Sequence, residues 1–466
     1  TPKSEIGDVW EALHDPKKTV VAQVAPAVRV AVGETFGFEP GANTSALMVA
    51  ALKQMGFDQV YDTSFTADLT VLEESHEFIG RLQNDGVRPL LTSCCPAWVK
   101  FVEQYYPEFL PNLSSCKSPQ QMFGAVAKQV LPAQCDVPVK ELVVVSIMPC
   151  TAKKFEARRE EFRPAGQAEV DYVLTTQELT RMIEESGLRY KQLEPAEFDR
   201  PFGVKTGAGV IFGNSGGVSE AVLRYVTEAV TGQKNESVEF TVVRGSEGVR
   251  EAALQLNGRE VKLAVVNGLK NARQVLEAVR AGKVHYDLIE VMACPGGCIG
   301  GGGQPVNLAR GCRTQRKKGL YEDDRHQPLR TSQDNPGVQA LYQETLDGLG
   351  SETAHHLLHT HYHSRRRTDG EELPLVTPAA TQKLKIGVCV GTSCYLRGSQ
   401  ELLHQLLRLV EENRWQAFVS VEASFCHEQC AQGPTVRINE AVISHATLEM
   451  VLARIRTYLD SMVSEV

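Results

Sequence analysis

Five apolar runs in this chain end abruptly in a glycine, proline or cysteine loop, and that pattern constrains the fold more than any other feature. "KTVVAQVAP" stops at Pro26, "VRPLLTSCC" at Cys94, "ELVVVSIMPC" at Cys150, "VKLAVVNG" at Gly268 and "DLIEVMACPGGC" runs through Cys294. Runs without polar alternation belong to strands buried on both faces, as in parallel sheets covered by helices. Helical periodicity fills the gaps between them, in "NTSALMVAALKQM", "LTVLEESHEFIGRL" and "KNARQVLEAVRA". The expected fold class is therefore α/β with mixed or parallel sheets. Strand-and-loop units stand on both sides of residue 130, so two lobes closing on a shared site are expected over residues 1–306. Ligands collect at the carboxyl ends of such strands, where the cysteines fall.

At 466 residues the chain is too long for one ordinary core. Apolar content of 42% and charged content of 23% exclude a disordered or fibrous chain. A formal charge of −8 argues against a general nucleic-acid binder. No run of eighteen apolar residues occurs, so no membrane span is predicted. The absence of a signal peptide makes a cytoplasmic location the expectation, and a start at Thr1 without methionine reads as a fragment or a processed product.

Composition changes after "GGGQPVN". Residues 307–366 are basic, then helical and His-rich, and are expected to wrap the preceding domain. The histidines of "AHHLLHTHYHSRRR" are read as decoration of a surface helix that packs by its leucines. Residues 367–382 form a polar, proline-bearing linker. Residues 383–466 read as a small separate α/β domain with strands in "KLKIGVCVG", "FVSVEAS", "TVRIN" and "VIS", and helices in "SQELLHQLLRLVEEN" and "TLEMVLARIRTYL".

Twelve cysteines are unusual in a large chain without secretory features, and paired clusters there point to metal more than to disulfides. In the last domain, Cys389-x4-Cys394 and Cys426-x3-Cys430 place two thiol pairs in loops after strands, which suits a 2Fe–2S cluster. Structural zinc prefers tighter C-x2-C knuckles. In the larger region the natural quartet is Cys95, Cys150, Cys294 and Cys298. The last two sit in "EVMACPGGCIGGGGQP", whose glycines let backbone approach a bulky inorganic group. A dinucleotide site is excluded, since "TGAGVIFGNSGG" misses G-x-G-x-x-G by one residue.

Three segments carry a resemblance. "TSCCPAW" (92–98), "MPCTAKKFE" (148–156) and "EVMACPGGCIGGGGQP" (290–305) look like the three signature segments of the di-iron (FeFe) hydrogenases, in the family's order. "QVAPAVRVAVGE", "KSPQQMFGA", "GAGVIFGNSGGVSEA" and "LLHTHY" extend the likeness over roughly residues 5–365. Residues 307–366 then look like the family's small-subunit segment, and 383–466 resemble the thioredoxin-like 2Fe–2S ferredoxin domain of NADH-oxidising complexes.

The resemblance implies an H-cluster, a 4Fe–4S cubane joined to a di-iron unit that carries CO, cyanide and a bridging dithiolate amine. Cys95, Cys150, Cys294 and Cys298 match the cubane ligands, with Cys298 the bridge. Cys94 matches a proton-transferring thiol, and Glu74, Ser114, Glu77 and Arg81 match the relay beyond it. Without the resemblance, Glu74, Glu77 and Arg81 would read as a solvated salt-bridged helix face, opposite a Leu72/Phe78/Ile79/Leu82 stripe. Lys153 matches a cyanide-binding lysine. Pro26 and Gln120 match further contacts to the diatomic ligands, and Met148, Phe212 and Met292 match groups packed on the di-iron unit. Ala27 stands where some members carry a serine that bonds cyanide. Cys116, Cys135 and Cys312 match no ligand position and are read as inert buried thiols.

The implied function is an FeFe hydrogenase, the reversible oxidation of H2 to protons and electrons. Electrons would pass through iron–sulfur clusters to ferredoxin or to flavoprotein subunits of a multimeric NAD-linked complex, with maturases supplying the di-iron unit. The alternatives are a hydrogen sensor without high turnover and an iron–sulfur assembly factor. Cys94 and the intact "MPCTAKKFE" favour the enzyme.

Overall fold

The computed structural model describes residues 3–84, 86–235, 237–245, 248–307, 309–366, 383–413, 415–424 and 430–463. The expected linker 367–382 and Cys426 lie outside the described residues. Two compact units divide the chain, Thr1–Arg367 and Thr368–Val466. Among the described residues no helix is long and apolar enough to cross a membrane.

The first unit contains two four-stranded sheets. Strands β1 (Thr19–Val24), β2 (Gln59–Asp62), β4 (Leu142–Met148) and β5 (Tyr172–Thr175) form one sheet in the order β2-β1-β4-β5, parallel throughout. Strands β3 (Leu90–Leu91), β6 (Val249–Leu256), β7 (Arg259–Asn267) and β8 (Leu288–Met292) form the other, in the order β3-β8-β7-β6. There β6 pairs antiparallel with β7, and the remaining pairs are parallel. The α/β class with parallel and mixed sheets is as the apolar runs require. β4 is buried at all seven positions, the signature of a strand covered on both faces.

The lobes are not consecutive segments. β3, before residue 130, pairs into the second sheet, and β4, after it, pairs into the first. Three strands escaped the reading of apolar runs. β2 and β5 have only four residues each, and β6 lies at a sheet edge with alternating burial.

Two prolines start the helices that frame the site. Pro96 is the first residue of the helix Pro96–Tyr105, so Cys95 is its N-cap, and Pro119 does the same for Pro119–Cys135 after Ser118. The helix Ser64–Gln83 is buried continuously from Ser64 to Ser75.

In the second unit, β9 (Leu384–Cys389), β10 (Val419–Ser424), β11 (Val436–Ile438) and β12 (Ala441–Ile443) form a sheet in the order β10-β9-β11-β12, with β9·β10 parallel and the other pairs antiparallel. Helices Ser399–Glu412 and Leu448–Val463 contribute Leu402, Leu406, Val451 and Ile455 to its core.

Candidate functional site

The three signature segments converge on one cavity in the first unit. Its wall includes Cys94, Cys95, Cys150, Cys294 and Cys298 together with Lys153. Pro26, Ala27, Gln120, Met148, Phe212 and Met292 complete the sequence-derived set on the same wall. Cys150 follows the end of β4 by two residues and Cys294 follows the end of β8 by two, so thiols from both sheets meet here.

Close backbone packing makes the convergence possible. Gly297 has φ +97°, and a Cβ there would lie 2.5 Å from the Ser215 amide nitrogen. A Cβ at Gly301 would lie 2.1 Å from the Pro149 carbonyl oxygen, beside Cys150. Side chains at these two positions would push the Cys294–Cys298 turn away from the other thiols.

Cys94 and Cys95 pack in different directions. Cys94 lies against the core containing Phe78, Phe212 and Met292, whereas Cys95 lies against the core containing Trp98 and Val99. Burial raises the Cys94 thiol well above its ordinary range, and the Glu74 carboxyl adds to the effect. Burial likewise raises Cys150 to about 12, with Cys95 and Cys294 adding to it. Burial also raises Cys294 and Cys298.

Lys153 spans two of the signature segments. Its ammonium donates to Glu156 Oε2 at 2.8 Å and to the Cys94 carbonyl at 3.1 Å. Burial opposes the charge, but Glu156 outweighs it and the lysine sits above its usual range. Two of three N–H donors are thereby used, leaving one for an anionic ligand in the cavity. Glu156 Oε2 also accepts from Ser118 Oγ at 2.9 Å and from Gln120 Nε2 at 3.1 Å, while Gln120 Oε1 is buried without a hydrogen bond.

The Pro26–Ala27 loop is pinned from behind. Arg29 Nε donates to the Pro26 carbonyl at 3.2 Å, and Gln304 Nε2 donates to the Ala27 carbonyl at 2.8 Å. Arg29 is itself fixed by Asp62 at 2.7 Å and Asp323 at 3.1 Å, in a wholly buried ion group. With its carbonyls so held, Ala27 offers no side-chain donor to the cavity.

The two carboxylates of this helix differ in exposure. Glu74 is 1% exposed, and neither carboxyl oxygen makes a hydrogen bond. Burial, reinforced by Glu77, raises it to about 8; Ser114 is near enough to oppose this in part. Ser114 Oγ donates to Glu77 Oε2 at 3.1 Å, and Arg81 donates to Glu77 Oε1 at 2.6 Å. The structure brings Cys94, Glu74, Ser114, Glu77 and Arg81 into one sequence of neighbours. Glu77 and Arg81 keep the i, i+4 ion pair of a salt-bridged face and are partly exposed, whereas Glu74 is buried along with Leu72, Phe78 and Leu82.

Several residues of this site carry no sequence signal strong enough to find them. Glu156, Arg29 and Gln304 lie within or beside quoted motifs, but their roles depend on partners distant in the chain. Glu290, buried in β8, accepts from the Gly216 and Ser219 amides at 2.6 and 2.7 Å at the start of the helix Gly217–Thr231, and adds negative charge beside Cys94. Of the three unassigned thiols, Cys116 and Cys312 are buried as expected; Cys135 is only half-buried, because it ends the helix Pro119–Cys135 near the surface.

In the second unit, Cys389 ends β9 and Cys394 lies in the short helix Thr392–Leu396, both buried. A Cβ at Gly433 would lie 2.9 Å from Cys394 Sγ, so this loop also approaches a thiol closely. Cys430 opens the turn Cys430–Gln432; its side chain, like Cys426, is outside the described residues.

A quartet of half-buried thiols around one cavity, beside a lysine and a run of carboxylates, suits an iron–sulfur redox fold. Residues 18–302 match the model of the iron-only hydrogenase large subunit, C-terminal domain. The chain belongs to that family. Residues 310–365 match the iron hydrogenase small subunit, and 377–459 match the thioredoxin-like [2Fe-2S] ferredoxin. The chain is similar to the NADP-reducing hydrogenase subunit HndD of Solidesulfovibrio fructosivorans, 46% identical over 373 residues, covering 78% of this chain and 63% of that protein. Iron hydrogenase 1 of Clostridium pasteurianum is 40% identical over 365 residues, covering 77% and 64%. The chain therefore spans a little under two thirds of the length of these two relatives. Cytosolic iron-sulfur assembly component 3 of Rattus norvegicus is also similar, 33% identical over 362 residues, covering 75% of each. The apo [FeFe]-hydrogenase HydA1 of Chlamydomonas reinhardtii superposes with a TM-score of 0.71 at 38% identity, covering 78% of this chain and 100% of that one.

Proposed function

We propose that this chain catalyses the reversible oxidation of H2 to protons and electrons at an H-cluster. The observation that supports it most is the shared cavity: four thiols from three distant segments, a fifth thiol beside them, and a lysine with one donor to spare. That donor set fits the group. Cys95, Cys150, Cys294 and Cys298 would hold the cubane, with Cys298 as the bridge, and Lys153 would bind an anionic diatomic ligand by a charge-assisted hydrogen bond. Gln120 and the Pro26–Ala27 backbone would border the di-iron unit, and Met148, Phe212 and Met292 would exclude water from it. When bound, the H-cluster supplies the iron at which hydrogen reacts and a store for its electrons.

The chain's own residues handle the proton. Cys94 takes it at Sγ as its own S–H proton passes to Glu74, whose carboxyl, neutral up to about pH 8, accepts at one oxygen and donates from the other. Ser114 Oγ, bonded to Glu77 and close to Glu74, would pass the proton between them. Arg81 neutralises Glu77 and fixes its orientation.

The second unit would hold a 2Fe–2S cluster on Cys389, Cys394, Cys426 and Cys430. By its likeness to a subunit of an NADP-reducing hydrogenase, the chain would serve as one subunit of a multimeric complex, exchanging electrons with ferredoxin or a nicotinamide-linked flavoprotein. A cytoplasmic location belongs to the same proposal. Infrared spectra of maturase-loaded protein in the CO and CN stretching region, with hydrogen evolution measured on the same sample, test the reading. Bands with fast turnover support it. Bands without turnover point to a sensor, and no bands to an assembly component like the one from Rattus norvegicus.

A further inference from the structure

The relay proposed above stops at Arg81, and a guanidinium cannot be its last proton carrier. Arginine stays protonated throughout the physiological range and has no acceptor atom. Here its donors are also committed to Glu77 and to the carbonyls of Val87, Asn112 and Leu113. A proton on Glu77 needs another way out.

The geometry points to His359 as that exit, reached from Glu77 through the hydroxyl of Ser115. This assignment rests on the proton route proposed above. Ser115 Oγ is 3.2 Å from Glu77 Oε2 and 2.8 Å from His359 Nδ1, and His359 Nε2 is 3.0 Å from Glu73 Oε2. Glu73 Oε1 accepts from Tyr342 at 2.7 Å, which fixes the far end. His359 itself keeps 7% of its side chain exposed. Its ring stacks on that of exposed His355, with centroids 4.6 Å apart and planes at 9°, and His361 lies beyond. A surface cavity reaches Ser115 and His361 as well.

One set of heavy-atom positions serves two proton arrangements. In the first, imidazolium Nδ1–H donates to Ser115 Oγ, and Ser115 donates to ionised Glu77. In the second, Glu77 carries the proton and donates to Ser115, which donates to neutral Nδ1. Passing from first to second breaks the Nδ1–H bond and the old Ser115 O–H bond, and forms a new Ser115 O–H bond and a Glu77 O–H bond. No atom has to move far and no electron changes hands. Nε2–H donates to Glu73 in both states and holds the ring; to complete the transfer the Nδ1–H bond breaks to a water in the surface cavity that reaches Ser115, which leaves the ring neutral for the next proton.

The charges around the ring suit this task. Glu73 and Glu77 face it from the helix Ser64–Gln83, Cys116 from the segment bridged to it, Tyr342 lies behind Glu73, and His355 stacks on it from its own helix. Imidazole is the side chain that ordinarily exchanges protons near neutral pH.

The test uses His359→Ala and His359→Gln in the maturase-loaded full chain. Glutamine can keep both hydrogen-bond contacts but cannot carry a proton. Both variants should lose about a hundredfold in turnover, with CO and CN bands unchanged, and added imidazole should restore His359→Ala. Wild-type turnover in His359→Gln overturns the assignment, as does a slow His359→Ala that imidazole leaves slow. In unloaded protein, ¹⁵N resonances of His359 should titrate differently in Glu77→Gln than in the unsubstituted chain, and identical titrations overturn it too. An unsubstituted chain with neither bands nor turnover sinks the hydrogenase reading instead, leaving the ¹⁵N titrations to decide on His359.

Discussion

Lys153 and Glu156 form an ion pair of 2.8 Å within a single short helix, and the same carboxylate oxygen gathers Ser118 and Gln120. One acidic group therefore orients Lys153 and Gln120, two of the donors that border the cavity. Lys153→Ala would leave that carboxylate buried among neutral groups. The unloaded variant should be destabilised by about 3 kcal/mol, the order found when one partner of a buried pair is removed. Urea denaturation checks this, and an unchanged midpoint would show that the pair contributes nothing.

The neighbouring thiols should separate cleanly by experiment. Cys94→Ala is expected to keep its iron and its infrared bands while turnover drops by a hundredfold or more, about the contribution of a positioned acid–base group. Cys95→Ala is expected to lose cubane iron itself. Iron and sulfide analysis beside hydrogen evolution tells them apart, and equal iron loss in both would contradict the division of labour.

Glu74 gives a pH dependence with a definite sign. Its folded form holds a proton to about pH 8, whereas the unfolded chain releases it near 4.5. Between those values the native state binds more protons, so this group makes the unloaded protein less stable as pH rises. Glu74→Gln removes that slope. The stability difference between the two proteins should grow in favour of the variant by up to about 1.4 kcal/mol per pH unit. Denaturation series from pH 5 to 8 that run parallel would refute it.

Much of this was legible beforehand, and the boundary has a physical origin. Continuous apolar runs located β1, β4, β7 and β8, because a strand buried on both faces leaves its mark on every position. The cavity-lining thiols were legible because their spacing has no other use. His359 was not. In "LLHTHY" it reads as one more histidine on a leucine-packed helix, and only the approach of Glu73 and Ser115, from remote parts of the chain, distinguishes it from exposed His355. Arg29 and Gln304 were illegible for the same reason, since each acts on a backbone carbonyl that no pattern of side chains announces.

Ala27→Ser restores the hydroxyl that some family members carry. The site is fully buried, and a Cβ at Gly213 would lie 3.2 Å from the Ala27 methyl, so the space is tight. The expected outcome is a shift of a CN stretching band with turnover changed by less than about tenfold, since one neutral hydrogen bond contributes about 1 kcal/mol. Unmoved bands would place this residue away from any cyanide.

Cys389→Ser and Cys394→Ser should abolish the visible and paramagnetic signals of the 2Fe–2S cluster without altering the CO and CN bands. Retained signals would remove both residues from the ligand set.

The crossing of the chain between its two sheets has a consequence for biosynthesis. β3 lacks its partner until β8 has been made, and the quartet gains its last thiol only at Cys298. A ribosome delivers Cys95 and Cys150 well before the surface that would shelter a cluster. On the proposed ligand set, insertion of the inorganic group follows translation of most of the first unit, and the protons of the thiols it binds leave as the metal enters.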